Sequence, residues 1–570
     1  MFGLLELSVL ALAVVVAWLF RPSSSLLRVE RVVKALSNRP LLVVAIPGIL
    51  TISGRLALLS VSPAPVPGVH DEFSYLLAAD TFAHGRMTNP TNPMWTHLET
   101  FHELQQPSYA SMYPVGQGLF LAAGELLGSP WIGVLLSVAL MCSAITWMLC
   151  GCYPASWALV GGLLAVCRFG LFSYWVDSYW GGAVAALGGA LVFGSAIRLL
   201  GVLNSVKRMA ALLLSFTFGL LLLANTRPFE GLMFSLPVLV VLLRRLLTAS
   251  PKWPAKWLLK ASIPSIATAA SVVALMGAYF WHVTGSPIVM PYQLHQQQYS
   301  TTQPFIWQPM LPEPHYRHVV FQHYYEPQAA FFRQAHTLSG WAHETLLKSI
   351  SIVMFYLWPM GLIILLMFRS LWLTDRFFRL AIWTCLATFA GLSLEIWPMM
   401  LHYAAPLTSV AILISVAALR SLRRITWKGR QAGFYLSWAL PLLCLAMLTL
   451  RASAAALHIA VPDQGMLPWF TIRRGNVERL RVEHRLEQIP GKHLVVVRYG
   501  SHHNPSNEWV YNPALIGSAK VVWARGMTPA EDAGLIHYFS DREVWLLEPD
   551  KNPVRLVPYN SFSLSSSSNR

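Results

Sequence analysis

The chain is punctuated by apolar runs of about 20 residues, the length an α-helix needs to cross roughly 30 Å of hydrocarbon. About twelve runs meet that criterion, near 1–20, 41–61, 131–150, 155–174, 180–200, 209–225, 231–247, 262–282, 346–368, 379–397, 401–419 and 433–451. Backbone polar groups in lipid must be bonded internally, so runs of this length are read as helices. Of the 570 residues, 55% are hydrophobic and 12% are charged, against about 25% charged in soluble domains. Such a chain cannot cover itself with polar surface, and the lipid bilayer is its expected partner. The net charge of +16 would point to nucleic acid in a soluble protein. Here much of the excess sits in short loops between apolar runs, so no nucleic-acid partner is expected.

Those loops orient the chain. Arg28, Arg31, Lys34 and Arg39 fall on one side, with Lys207 and Arg208, Arg244 and Arg245, Arg369 and Arg376, and Arg420 to Arg424. By the positive-inside rule this side is cytoplasmic. The loops at 62–130, 175–180, 226–230, 283–345 and 398–400 then face outward, as does the tail from about 453. The alternation requires that 113–127, apolar but broken by Pro114, Gly116, Gly118 and Gly124, lies along the interface without crossing. The segment 1–20 has no basic leader and no cleavage signal, and reads as a retained span. All six cysteines lie in or beside apolar runs, so no disulfide framework is expected.

The tail has a different texture. Residues 477–489 read as a helix, and 494–498, 520–523 and 543–547 as strands. Thr528-Pro529-Ala530-Glu531 is a helix start, with Thr at the N-cap, Pro at N1 and Glu at N3. The fold class is therefore an all-α polytopic membrane protein with a small C-terminal extracytoplasmic α/β domain. The expected units are a first span and basic linker (1–40), a membrane core (41–452), the outer domain (453–560) and a disordered Ser-rich end (561–570).

Three outward turns carry the residues that could do chemistry. After the extended lead-in Ser62 to Gly68 come His70, Asp71 and Glu72 at the start of a short helix through Tyr75. The two carboxylates either cap that helix or supply a general base. Asp177 lies in the aromatic turn Ser173-Tyr174-Trp175-Val176-Asp177-Ser178-Tyr179-Trp180. At a membrane surface such a carboxylate needs a partner or a role. Arg227 lies in Asn225-Thr226-Arg227-Pro228-Phe229-Glu230. It would bind a phosphate, snorkel to lipid, or pair with Glu230. Arg168 and Glu395 near outer span ends are candidate cavity linings, and Arg55 sits within a span with no evident partner. His315, His318 and His323 fit no compact metal pattern, and no HExxH helix is present; no metal ligand set is assigned. The stretch His502 to Trp509 either covers the site or is an ordinary surface loop.

The His70-Asp71-Glu72 opening with Tyr75 resembles that of GT-C glycosyltransferases, which include protein O-mannosyltransferases and lipid A aminoarabinose transferases. Val176-Asp177-Ser178 resembles the family's second acidic turn, with Ser178 where Pro is usual. Thr226-Arg227-Pro228 with Gly231 and Leu236-Pro237 is similar to its Thr-Lys-Gly segment, with Arg for Lys. His402-Tyr403 and Pro406 resemble its late outer motif. The resemblance covers roughly 41–420. It implies a glycosyltransferase that moves a sugar from a polyprenyl-phosphate donor to a glycan, lipid or protein acceptor, with inversion, at the periplasmic face of a bacterial inner membrane. Asp71 would be the base, and Glu72 and Asp177 would orient substrates. Arg227 would hold the phosphate, with His70, Tyr75, Glu230, His402 and Tyr403 lining the site. No cofactor is implied with certainty; a divalent metal is the one candidate. The alternative is a transporter or flippase of lipid-linked sugars, which would need inverted repeats and mid-membrane sites; neither is visible.

Overall fold

The computed structural model describes residues 24–180, 182–201, 205–248, 254–397, 400–426, 432–459 and 475–559, and the isolated positions 8, 11, 12 and 15. The expected span at 1–20 lies outside the described residues apart from those four, as does the Ser-rich end, 561–570.

Among the described residues, eight helices are long and apolar enough to cross a membrane. They are Pro40–Ala57, Pro130–Leu149, Gly182–Leu199, Val206–Ala224, Pro228–Thr248, Ala255–Thr284, Arg376–Leu394 and Ala432–Ser453. The chain is an integral membrane protein. Three of these helices begin with Pro, where its missing N–H is not needed. Gly182–Leu199 is enclosed on nearly all sides, and packs against Pro130–Leu149, Val206–Ala224 and Leu407–Leu422.

Three expected spans take other forms. The run at 155–174 is a helix, Ala155–Ala165, that passes into a π-helical turn, Val166–Gly170. The run at 401–419 divides at Pro406 into a 3-10 turn, Leu401–Ala404, and a helix, Leu407–Leu422. The run at 346–368 becomes two helices, Leu338–Leu357 and Gly361–Thr374, bent by 91°. Pro359 between them has no N–H with which to continue the helix. Hydropathy counts apolar side chains and is blind to such backbone breaks. The stretch at 113–127 forms the helix Val115–Leu126 of 12 residues, too short to cross.

Four pieces outside the long apolar helices surround the candidate site. The first is the helix His70–Ala83, called the site helix below. The second is a short antiparallel pair, β1 (Glu103–Leu104) with β2 (Ala110–Ser111). The third comprises the helices Pro291–Tyr299 and Val319–Ala335. The fourth is the C-terminal unit: Val477–Gln488, β3 (Lys492–Val497), β4 (Val521–Arg525), Pro529–Tyr538, β5 (Arg542–Glu548) and β6 (Arg555–Pro558). Its sheet runs β4-β3-β5-β6, with β4 and β5 parallel to β3 and β6 antiparallel to β5. The three strands read from sequence appear within two residues of their expected bounds. Thr528 caps Pro529–Tyr538 in a capping box with Glu531. β6 was not anticipated, because it is short and ends in Pro558, which a sheet edge tolerates.

The C-terminal unit does not stand apart. Leu77, Leu98 and Tyr109 of the first outer loop share one core with Leu494, Val496, Val522 and Leu535. Where the unit begins, Gly475 has φ +75, and a Cβ there would lie 1.9 Å from the Val66 carbonyl oxygen. Only glycine fits that crossing. The Asn476 N–H donates to the Pro67 carbonyl at 3.0 Å, so the lead-in to the site helix is sewn to the C-terminal unit.

Candidate active site

The site helix starts at His70 because the preceding Pro-rich lead-in is extended and Val69 is the N-cap. The two acids in its first turn part company. Glu72 turns inward. Its Oε2 accepts the N–H groups of Gly68 (2.8 Å) and Val69 (3.3 Å), and its Oε1 accepts that of Tyr179 (3.0 Å). It thus fastens the first outer loop to the 173–180 turn. Burial pushes its carboxyl up to about 7, against the three hydrogen bonds that favour the charged form.

Asp71 turns the other way. Its Oδ1 lies 2.9 Å from His102 Nδ1 and accepts a short hydrogen bond from the Tyr113 hydroxyl. Burial alone would raise its pKa. His102, by charge and hydrogen bond, and Tyr113 outweigh that and hold the carboxylate far below its usual range. About 27% of the side chain stays exposed. Oδ2 has no hydrogen-bond partner among the described residues. An ionised carboxylate is acceptor-only, so that oxygen is available to an incoming hydroxyl.

His102 is held in a conformation that few side chains adopt, φ +61. Strain of this kind clusters where a side chain must be aimed. Its ring meets Tyr113 Oη at 3.1 Å on one nitrogen and Tyr324 Oη at 3.2 Å on the other. His70 packs on Phe101 (ring centroids 4.5 Å apart) and Tyr324 (5.1 Å). Its Nδ1 lies 2.6 Å from the Tyr511 hydroxyl. Burial and then the neighbouring His102 push its pKa down to about 3, so His70 is neutral in the working range. Tyr511 also stacks on Phe73, centroids 3.9 Å apart and nearly coplanar.

From Asp71 the site continues through Tyr113 to Tyr75. Tyr113 stacks on Tyr75 at 4.5 Å, and Arg227 lies in the same neighbourhood. The guanidinium lies 4.8 Å from the Tyr403 ring centre and 3.9 Å from Glu230 Oε1. The turn is placed by Gly116. Its N–H donates to the Asn225 carbonyl at 2.8 Å, and a Cβ there would meet that oxygen at 2.6 Å. His402 packs edge-on against Trp180 at 4.7 Å. Burial and Arg227 hold it neutral, and its Nδ1 has no hydrogen-bond partner among the described residues.

Asp177 is not among these groups. Arg55, fully buried, donates to its Oδ1 at 2.5 Å and to the Ser62 and Pro63 carbonyls at 2.6 and 3.1 Å. The residue expected to orient substrate beside Asp71 instead neutralises a buried cation, and the unpaired Arg55 of the sequence reading acquires its partner. Arg168 is likewise spent on scaffold, donating to the Trp358 and Phe355 carbonyls. Glu395 lies near Glu230 and Arg227, and its carbonyl receives Lys348 Nζ at 2.5 Å. His318 Nε2 lies 2.8 Å from the Thr96 carbonyl oxygen. The one close set of potential metal ligands among the described residues is Asp80, His84 and Glu125, at the far end of the site helix. Of the His502–Trp509 stretch, Glu508 is buried in an ion pair with Arg525 at 2.7 Å.

Sequence reasoning missed His102, Tyr113, Tyr324 and Tyr511. The first two lie in the loop already singled out. The other two come from segments 222 and 441 positions away from their partners, with no local signal.

No family model matches the chain, and no curated protein does. Among solved structures it is similar to ArnT from Cupriavidus metallidurans in the apo state, at 14% identity and TM-score 0.47, covering 91% of this chain and 94% of that one. The same protein bound to undecaprenyl phosphate matches at 13% identity and TM-score 0.43, covering 88% and 92%. The archaeal oligosaccharyltransferase AglB from Archaeoglobus fulgidus, in complex with an inhibitory peptide and a dolichol-phosphate, matches at 10% identity and TM-score 0.37, covering 89% and 69%.

Proposed function

We propose that the chain is an inverting membrane glycosyltransferase that moves a sugar from a polyprenyl-phosphate donor to an acceptor hydroxyl on the extracytoplasmic side. The observation that carries this reading is one cluster of side chains, with Asp71, Tyr113 and Tyr75 in contact and Arg227 over the Tyr403 ring close by. It has an ionised carboxylate and a guanidinium. The carboxylate can take a proton, and the guanidinium can hold a phosphate.

In the proposed reaction the acceptor oxygen bonds to the anomeric carbon as the carbon–phosphate oxygen bond breaks. The hydroxyl proton passes to Asp71, and the polyprenyl phosphate leaves with its charge on Arg227. The low basicity of Asp71 suits a base that acts late, once bonding to carbon has made the hydroxyl acidic. Glu230 and Tyr403 orient the guanidinium; His70 and His402 stay neutral and add no competing charge; Glu72 and Asp177 hold the loops. In this reading twelve spans carry the site, the membrane is a bacterial inner membrane, and residues 453–560 form a periplasmic domain.

The test is transfer of labelled sugar from a panel of polyprenyl-phosphate donors in membranes carrying wild type or Asp71→Asn. Transfer by wild type that vanishes in an inserted, folded variant supports the reading. Equal transfer by both removes Asp71 from the chemistry. Movement of the lipid-linked sugar between leaflets without transfer replaces the enzyme with a flippase.

A further inference from the structure

Beyond the cluster just described, a separate cavity of about 190 Å³ opens on the outward side. Its walls come from two loops far apart in sequence, with Trp95, Glu99 and Gln106 from one and Gln298, Tyr316 and Arg317 from the other. We propose that it binds one sugar unit of the acceptor, and so that the acceptor is a glycan or glycolipid; the acceptor role rests on the transferase reading above.

The lining chemistry decides among ligands. Glu99 is 3% exposed, and its carboxylate receives the Tyr299 hydroxyl at 2.8 Å, with His318 at 3.5 Å and Arg317 at 3.8 Å. A bare cation would be drawn to Glu99 but repelled by Arg317; an inorganic anion would meet the reverse. An apolar ligand would strip water from the carboxylate and two amides without replacing their hydrogen bonds. A neutral polyol with an apolar ring face satisfies all of them. Hydroxyls can pair with Glu99, Gln106 and Gln298, and ring carbons can lie on the aromatic walls. The volume is below the roughly 300–1,000 Å³ of pockets for drug-sized ligands, which fits one ring.

Position makes this the acceptor side. Phe321, in the cavity wall, packs on Phe101 at 4.6 Å. Phe101 packs on His70 at 4.5 Å, and His70 precedes Asp71. The cavity thus connects to the base through Phe101 and His70, whereas Arg227 neighbours Tyr403 and Glu230, neither of which lines the cavity. The loops are joined by the Gln298 side chain donating to the Gln106 carbonyl at 3.1 Å, so the pocket exists before a ligand arrives.

The experiment uses the full chain in detergent and ligand-observed NMR with the methyl glycosides of glucose, mannose, galactose and N-acetylglucosamine, plus inorganic phosphate. Saturation transfer to at least one glycoside is expected, unaffected by phosphate and retained in Asp71→Asn. In Trp95→Ala and in Gln106→Ala the affinity should fall by about tenfold, the loss of one ring contact and one hydrogen bond. Thermal unfolding should be unchanged. No glycoside signal above that of the Trp95→Ala/Gln106→Ala double variant overturns the proposal, as does displacement by phosphate. Glycoside binding in a protein that transfers nothing leaves the sugar site standing and removes its acceptor role together with the transferase reading.

Discussion

Asp71 and Asp177 both sit in stretches rich in aromatic side chains, each with a polar residue after it in sequence. In the fold one keeps an oxygen free beside neutral hydroxyls, while the other is locked in an ion pair whose side chains are 0% and 4% exposed. The difference is the partner. His102 and Tyr113 together occupy one oxygen of Asp71 and leave it charged and approachable. Arg55 carries a full charge into a span, where it needs a counter-charge, and Asp177 supplies it. The type and location of a carboxylate do not decide whether it keeps an oxygen free; its first neighbour does.

The sharpest way to break this contrast is to remove each carboxylate in turn. Asp71→Asn should lower transfer by about 10²–10⁴-fold, the range of a lost general base, with thermal unfolding unchanged. Asp177→Asn should do the opposite. It leaves a buried guanidinium unpaired, at a cost of about 3–5 kcal/mol, and protein that still folds should transfer at near the wild-type rate. The double variant Arg55→Met/Asp177→Asn should regain most of that stability. If Asp177→Asn costs activity but not stability, the assignment of the two turns is reversed.

Arg227→Gln should weaken donor use by about tenfold to a hundredfold, the worth of a charge-assisted hydrogen bond of about 1.5–3 kcal/mol. Arg227→Lys should recover part of it, and the loss should appear mainly in KM for the lipid donor.

Glu72 provides a pH test of its tethering role. Its carboxyl is raised from 4.5 to about 7 on folding, so the folded state binds more protons than the unfolded state between those values. Stability therefore falls as pH rises through that window. Thermal unfolding followed from pH 5 to 8 should show this slope, and Glu72→Gln should flatten it while lowering stability overall, because an amide NH₂ would face a backbone N–H. The smallest effect is expected from Tyr511→Phe. It removes the hydrogen bond to His70 and keeps the stack on Phe73, a change of about 0.5–1.5 kcal/mol. The activity loss should be a few-fold, seen in kcat.

Much of the framework was legible because it depends on neighbours in sequence. Apolar runs specify helices in lipid whatever they pack against, and the Thr528–Glu531 capping box closes within one turn. The same locality explains the errors. The bend between Leu357 and Gly361 and the π-helical turn at Val166–Gly170 are events of the backbone, which hydropathy does not record. His70, Asp71, Tyr75 and Arg227 could be nominated from their turns, but their states could not.

By itself the sequence determined that this is a helical membrane protein with an acidic turn and a basic turn between its apolar runs. Hydrophobic transfer and backbone hydrogen bonding act over a few residues, so they can be read along the chain. Only the tertiary structure decided that Arg55 meets Asp177 across 122 positions, that His102 and Tyr113 hold Asp71, and that Tyr511 reaches His70 across 441. Electrostatic and hydrogen-bond partnerships depend on distances of about 3 Å in space, and separation along the chain carries no information about them.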